Sequence, residues 1–249
     1  MSYIIWQLNF EEKELLNYIT DKTDKIIYIP KKNVERGYKT IQSFNNPMFV
    51  VGDIQFVKLF FKLVYNNEIC ANHYPDCLQQ YLYRNISIQK YKDVRYSGKT
   101  MFIKPYNNCK AFTGTIIGQG MKKVSYRYNK QVYVSDVVHF NSEYRCFVCE
   151  DKLLECRWYF GNKDMLDLNI VNDMIGAMKD NGCHTYLLDV GVLNTGETAL
   201  IEVDNAFSFG TYGCNPTTIY KMYEKGFIEM IKNNNKNDNK NGDDICRTI

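Results

Sequence analysis

Apolar positions follow two rhythms along this chain. In the first third, short apolar runs alternate with stretches of helical spacing. Tyr3-Ile-Ile-Trp6 reads as a strand, Glu11 to Tyr18 as a helix, and Ile26-Ile-Tyr-Ile29 as a strand stopped by Pro30. Pro47-Met-Phe-Val-Val51 reads as a buried strand ended by Gly52. Asp53 then caps a helix through Val64, with Phe56, Leu59, Phe60 and Leu63 on one face. Pro75 opens a further helix to Arg84 carrying Leu78, Tyr81 and Leu82. From there the period changes to two. Strands are expected over Met101–Pro105, Gly114–Ile117, Val132–Phe140, Tyr144–Val148 and Leu153–Phe160. A helix is expected over Ile170–Lys179, closed by Asn181-Gly182. A hairpin and a last helix over Pro216–Ile231 follow. Strand–helix alternation followed by strand runs predicts an α/β unit ahead of an α+β one. No internal repeat is visible.

Composition narrows the class. The chain has 249 residues, 45% of them hydrophobic, with twenty Tyr and fourteen Phe, enough to bury a sizeable core. Its net charge of +3 is small, and Lys31-Lys32, Lys122-Lys123 and Lys232 are scattered, so no basic stripe points to nucleic acid. No apolar run spans a bilayer; the longest, Phe56 to Tyr65, is broken by Lys58 and Lys62. The N-terminal segment lacks the basic start of a signal peptide, and the nine cysteines show no framework spacing. The expectation is reduced thiols in a cytosol-like compartment. Residues from Asn233 on are Asn/Lys/Asp-rich and are expected to be disordered. The final Cys246-Arg-Thr-Ile249 lacks the aliphatic pair of a prenylation box.

The hairpin carries the candidate chemistry. Tyr186–Val192 and Ala199–Val203 are strand patterns joined by Asn194-Thr-Gly-Glu197. With Thr195-Gly196 as turn centre, Asp189 falls directly opposite Glu202, and Asp204 shares a face with Glu202. Three carboxylates on one patch repel one another and require a cation, a shared proton or a nearby Arg or Lys. Such hard oxygen ligands suit Mg²⁺ held together with phosphates. A solvated acidic sheet face is the plain alternative.

Basic residues supply the other half. Lys104 lies inside an apolar strand before Pro105, beside the loop Tyr106-Asn-Asn-Cys-Lys-Ala-Phe-Thr-Gly114, and is placed to meet a phosphate; the loop is not a Walker P-loop. A snorkelling edge lysine is the alternative. Glu143 and Arg145 share one face of a strand, either as a surface ion pair or as a phosphate and sugar contact. Cys146 and Cys149 point to opposite faces of a strand and have no second pair at zinc spacing. His73, His139 and His184 form no ligand pattern.

In order, these segments resemble the ATP-grasp superfamily, and within it the clade named for two arginines and a lysine. The resemblance rests on Tyr74-Pro-Asp-Cys-Leu with Tyr81-Leu-Tyr-Arg84, and on Phe102-Ile-Lys-Pro105 with Lys110-Ala-Phe-Thr-Gly114. It continues through Val134-Ser-Asp-Val-Val-His-Phe with Glu143-Tyr-Arg145, then Asp189, Ile201-Glu-Val-Asp204 and Phe209-Gly-Thr-Tyr-Gly213, covering about Tyr74 to Ile231. It implies two α+β lobes gripping ATP between antiparallel sheets over residues 73–231, after a small α/β unit at 1–72 and before a polar tail at 232–249. It also implies ATP contacts at Arg84, Lys104, Lys110, Tyr133, Val134 and Glu143, catalytic charge from Arg145 and Lys104, and Mg²⁺ on Asp189, Glu202 and Asp204. The activity implied is ligation of a carboxylate to an amine or thiol through an acyl phosphate. A non-catalytic nucleotide-binding module and a kinase-like transferase share the same residues. One departure stands out: the family's metal strand ends E-x-N, whereas this chain has Glu202-Val-Asp204 followed by Asn205, so either of the last two is the third ligand.

Overall fold

The computed structural model describes residues 2–21, 25–69, 72–106, 111–118, 124, 128–163 and 166–237, with the backbone alone from 233 on. The chain opens with β1 (Tyr3–Gln7), α1 (Lys13–Thr20), β2 (Lys25–Ile29), a short α2 (Lys31–Glu35), β3 (Val50–Val51) and α3 (Ile54–Tyr65). The strands form a parallel sheet in the order β2-β1-β3. Asp53 caps α3 as expected, its carboxylate accepting from Phe56 N–H at 3.0 Å. The helix buries Val57 and Phe61 as well as Phe56 and Phe60, a wider stripe than the pattern predicts.

Two four-stranded antiparallel sheets follow. β4 (Ile86–Lys90), α4 (Tyr91–Val94), β5 (Met101–Pro105), β6 (Thr115–Ile117) and β7 (Gln131–Ser135) build the first, ordered β4-β7-β5-β6. β8 (Phe140–Cys149), β9 (Lys152–Gly161), α5 (Leu168–Met178), β10 (Tyr186–Leu193) and β11 (Thr198–Asn205) build the second, ordered β11-β10-β8-β9. The helix α6 (Pro216–Asn237) closes the chain.

Three expectations are corrected. The helix expected after Pro75 is a 3-10 turn at Asp76–Tyr81, ended where Tyr83 takes a left-handed φ of 51°. The strand expected over Val132–Phe140 ends at Ser135, and the one expected over Tyr144–Val148 starts earlier, at Phe140, in the other sheet. The last helix runs past Ile231 to Asn237; the rest of the expected tail, 238–249, lies outside the described residues.

The second sheet is covered on both faces. On its back, Cys146, Val148, Tyr186, Leu188 and Val190 pack against Val171, Met174 and Met178 of α5. On its front, Phe147, Cys149 and Leu187 join one core with β1, β3, α1, α3 and the α6 residues Ile219, Met222, Tyr223 and Phe227. Phe209 and Phe49 both stack on Tyr223, with ring centroids 4.8 and 5.8 Å away. The C-terminal helix therefore shares its core with the N-terminal sheet. Cys146 and Cys149 fall in different cores, as strand alternation requires. Among the described residues, no helix is long and apolar enough to cross a membrane.

Candidate active site

The site lies between the two antiparallel sheets, where β5 of one approaches β10 and β11 of the other. The hairpin register sets it up. Asp189 on β10 faces Glu202 on β11 on one side and Arg145 on β8 on the other, so the three side chains form a row across the sheet. The expected pairing holds, by a different route. The turn has three residues rather than two: Leu193 faces Glu197, and Leu193 N–H donates to Glu197 O at 2.9 Å. That turn alone would set Asp189 against Ile201. A bulge between Val190 and Asp189 absorbs Ile201 and restores the Asp189–Glu202 pair.

Each of the three carboxylates has its own basic partner. Arg145 grips Asp189 through Nε to Oδ1 at 2.8 Å and Nη2 to Oδ2 at 2.7 Å. Lys104, from β5, pairs with Glu202 across the cleft. The His73 Nδ1 lies 3.0 Å from Asp204 Oδ1 and 3.8 Å from Glu202 Oε2. The repulsion expected among the acids is thus offset by three basic groups from three other parts of the chain.

The electrostatics follow from burial and these partners. Burial disfavours the charge on Lys104, but Glu202, Tyr74 and Asp204 outweigh it and push its pKa up. The Lys104 ammonium also sits 4.8 Å from the Tyr74 ring centroid. Burial opposes ionisation of Asp204, yet His73, Lys104 and Arg145 hold its carboxyl below the usual range. Asp189 is 3% exposed; burial opposes its ionisation, while the paired hydrogen bonds and the charge of Arg145 favour it. Arg145 is itself held firmly charged: burial opposes the charge, and the hydrogen bonds and charge of Asp189 override it. Glu143 is raised by burial despite a hydrogen bond from Tyr159, whose ring stacks on Tyr212 at 4.7 Å.

A cleft of about 790 Å³ holds His73, Arg84, Lys104, Glu143, Arg145, Glu202 and Asp204 over an apolar floor that includes Phe102, Ile116, Leu187 and Phe207. Several expected residues stand elsewhere. Asp189 does not line the cleft: it is buried, with both oxygens bonded to Arg145. Among the described residues, the group of donor atoms within 4.8 Å of one another is His73, Glu202 and Asp204. Tyr133 and Val134 do not line the cleft either. Tyr133 is packed among Tyr74, Tyr106 and His73, and Val134 is in the core of the first sheet. The lining comes from the next residues, Ser135 to His139. Arg84 lines the cleft, but its guanidinium donates to the carbonyls of Leu82, Leu200 and Ile201. Lys110 lies outside the described residues. His73, set aside from the sequence, enters the site because its partners lie some 130 residues away, where no local spacing announces them.

Two antiparallel sheets facing each other across a cleft, with lysine on one and carboxylates on the other, define the ATP-grasp architecture. Residues 81–222 match a family model for the ATP-grasp domain, family 2 of the clade named for two arginines and a lysine, and the chain belongs to that family. Solved structures share the fold. A D-alanine–D-alanine ligase from Bacillus anthracis complexed with ATP superposes with a TM-score of 0.58 at 12% identity, covering 96% of this chain and 100% of that one. An L-amino acid ligase from Bacillus licheniformis gives 0.56 at 12% identity, covering 93% and 74%. A RimK domain ATP-grasp protein from Sphaerobacter thermophilus gives 0.55 at 10% identity, covering 91% and 100%. No curated protein matches the sequence.

Proposed function

We propose that this chain is a Mg-ATP-dependent ligase that joins a carboxylate to an amine or thiol acceptor through an acyl phosphate, releasing ADP and phosphate. The observation that carries this reading is the Lys104–Glu202 contact across the cleft, with His73 and Asp204 beside it. It sets a phosphate-type cation against a cluster of carboxylates at the mouth between two sheets. ATP-grasp ligases among the structures of the same fold support it.

The donor set fits a divalent cation. Glu202 and Asp204 offer hard oxygens within 4.8 Å of the His73 ring nitrogen, and Glu202 is already satisfied by a positive charge. Glu202 and Asp204 would hold Mg²⁺, with His73 beside them; the metal supplies neutralisation of the phosphate oxygens. Lys104, released from Glu202, holds the phosphates. Arg145, aimed by Asp189, stabilises charge on the transferring phosphoryl group. The substrate carboxylate takes the γ-phosphoryl group, and the acceptor then displaces phosphate from the acyl phosphate. Domain limits of 1–72 and 73–231 accompany this reading, as does a compartment that supplies ATP.

The test is product analysis. ADP and phosphate should form only when carboxylate and acceptor are both present with Mg²⁺ and ATP. AMP as the product contradicts the reading. A phosphorylated product without an acceptor would assign a kinase-like transfer instead.

A further inference from the structure

β11 is an edge strand, and an edge strand leaves one row of backbone groups without a strand partner. On β11 the segment from His73 to Arg84 takes part of that row. Val203 N–H donates to the His73 carbonyl at 3.0 Å, and the His73 Nδ1 lies 3.2 Å from Val203 O. Toward the turn, Arg84 Nη1 donates to Leu200 O at 2.8 Å and Nη2 donates to Ile201 O at 2.9 Å. Arg84 Nη1 also donates to Leu82 O at 3.0 Å, within its own segment. Glu202 stands between the two attachments.

The geometry at Arg84 is specific to the bulge. A regular strand turns successive carbonyls to opposite edges, so one side chain on one edge cannot bind two in a row. Leu200 and Ile201 both reach the same guanidinium because the bulge between Val190 and Asp189 turns them to one side. The planar fork of arginine matches two such acceptors, and a lysine cannot reproduce the pair. Both Nη1 hydrogens and one of Nη2 are committed to carbonyls rather than aimed into the cleft.

We infer that Arg84 is a positioning residue: it locks the bulge at Ile201 and so fixes Glu202 opposite Asp189 and toward Lys104. Without the lock, the three-residue turn would pair Asp189 with Ile201 and carry Glu202 off the site face. The lock is a property of the free protein; its consequence for the metal rests on the function proposed above.

The experiment is calorimetric titration of ATP into wild type, Arg84→Met and Arg84→Lys, first in chelator and then in saturating Mg²⁺. For Arg84→Met the expected result is a metal-free ATP affinity within about twofold of wild type and a loss of roughly tenfold or more in the gain that Mg²⁺ gives, with Arg84→Lys in between. A large fall in metal-free affinity would mark Arg84 as a phosphate ligand and overturn the inference. So would a variant unchanged in both conditions. Where Arg84→Met does not fold, or wild type binds no ATP, ligand-free wild type decides. A through-hydrogen-bond coupling between the Arg84 guanidinium nitrogens and the Ile201 carbonyl carbon supports the lock, and its absence overturns it. Wild type without ATP binding defeats the proposed function and leaves that second readout standing.

Discussion

Arg145 and Asp189 face each other on neighbouring strands and are joined by two hydrogen bonds of 2.8 and 2.7 Å, with neither side chain more than 10% exposed. A buried pair of this kind is costly to break on one side, because the remaining charge stays buried. Asp189→Asn is expected to destabilise the fold by about 3–5 kcal/mol in denaturant unfolding, whereas Arg145→Met with Asp189→Leu recovers most of that loss. A single variant as stable as wild type would contradict this.

The Asp53 cap gives a pH signature. Its carboxylate accepts from Phe56 N–H, Gln7 and Lys31. Burial acts to raise its pKa, but these partners prevail and lower it. A lowered pKa in the fold means stability that is fully present above the unfolded value of about 3.9 and lost as pH falls through the folded value. The stability gap between wild type and Asp53→Asn should therefore be constant near neutrality and shrink below about pH 4. A gap that widens on acidification would refute the assignment.

Gly191 tests the packing beneath the site. A Cβ there would lie 2.5 Å from Phe140 Cδ1 and 2.6 Å from the Ser142 carbonyl oxygen, on the strand opposite. Gly191→Ala should cost about 1–3 kcal/mol and weaken ATP binding with it, since β8 and β10 must separate. Gly176, with nothing within 4 Å of its added Cβ, is the control, and Gly176→Ala in α5 should be neutral or stabilising. Equal losses at the two positions would contradict the packing argument.

Much of this fold was legible because strand period and turn chemistry are local. The hairpin, the Asp53 cap and the Gly182 helix exit fall where the sequence puts them. β4 escaped because it is an edge strand with mostly exposed side chains and no long apolar run. The strand expected over Val132–Phe140 overruns β7 because Val137 and Val138 continue the apolar pattern while the backbone changes sheets. In the site, Lys104, Arg145, Glu202 and Asp204 are brought together, whereas His73 and the role of Arg84 were hidden. His73 meets Val203 and Asp204 only through the tertiary fold. Arg84 binds backbone carbonyls 116 and 117 residues away, and a carbonyl carries no side-chain signal.

The account rests most directly on Glu202 as the point where Lys104 and a metal compete. The deciding measurement is the thermal shift produced by ATP with and without Mg²⁺, in wild type and in Glu202→Gln. A site that binds the metal-nucleotide complex predicts a larger shift with Mg²⁺ than without it, on the order of 2.7 kcal/mol at a hundredfold excess over Kd. It also predicts that Glu202→Gln folds and loses the Mg²⁺-dependent part. No stabilisation by ATP, or stabilisation indifferent to both Mg²⁺ and Glu202→Gln, would contradict it.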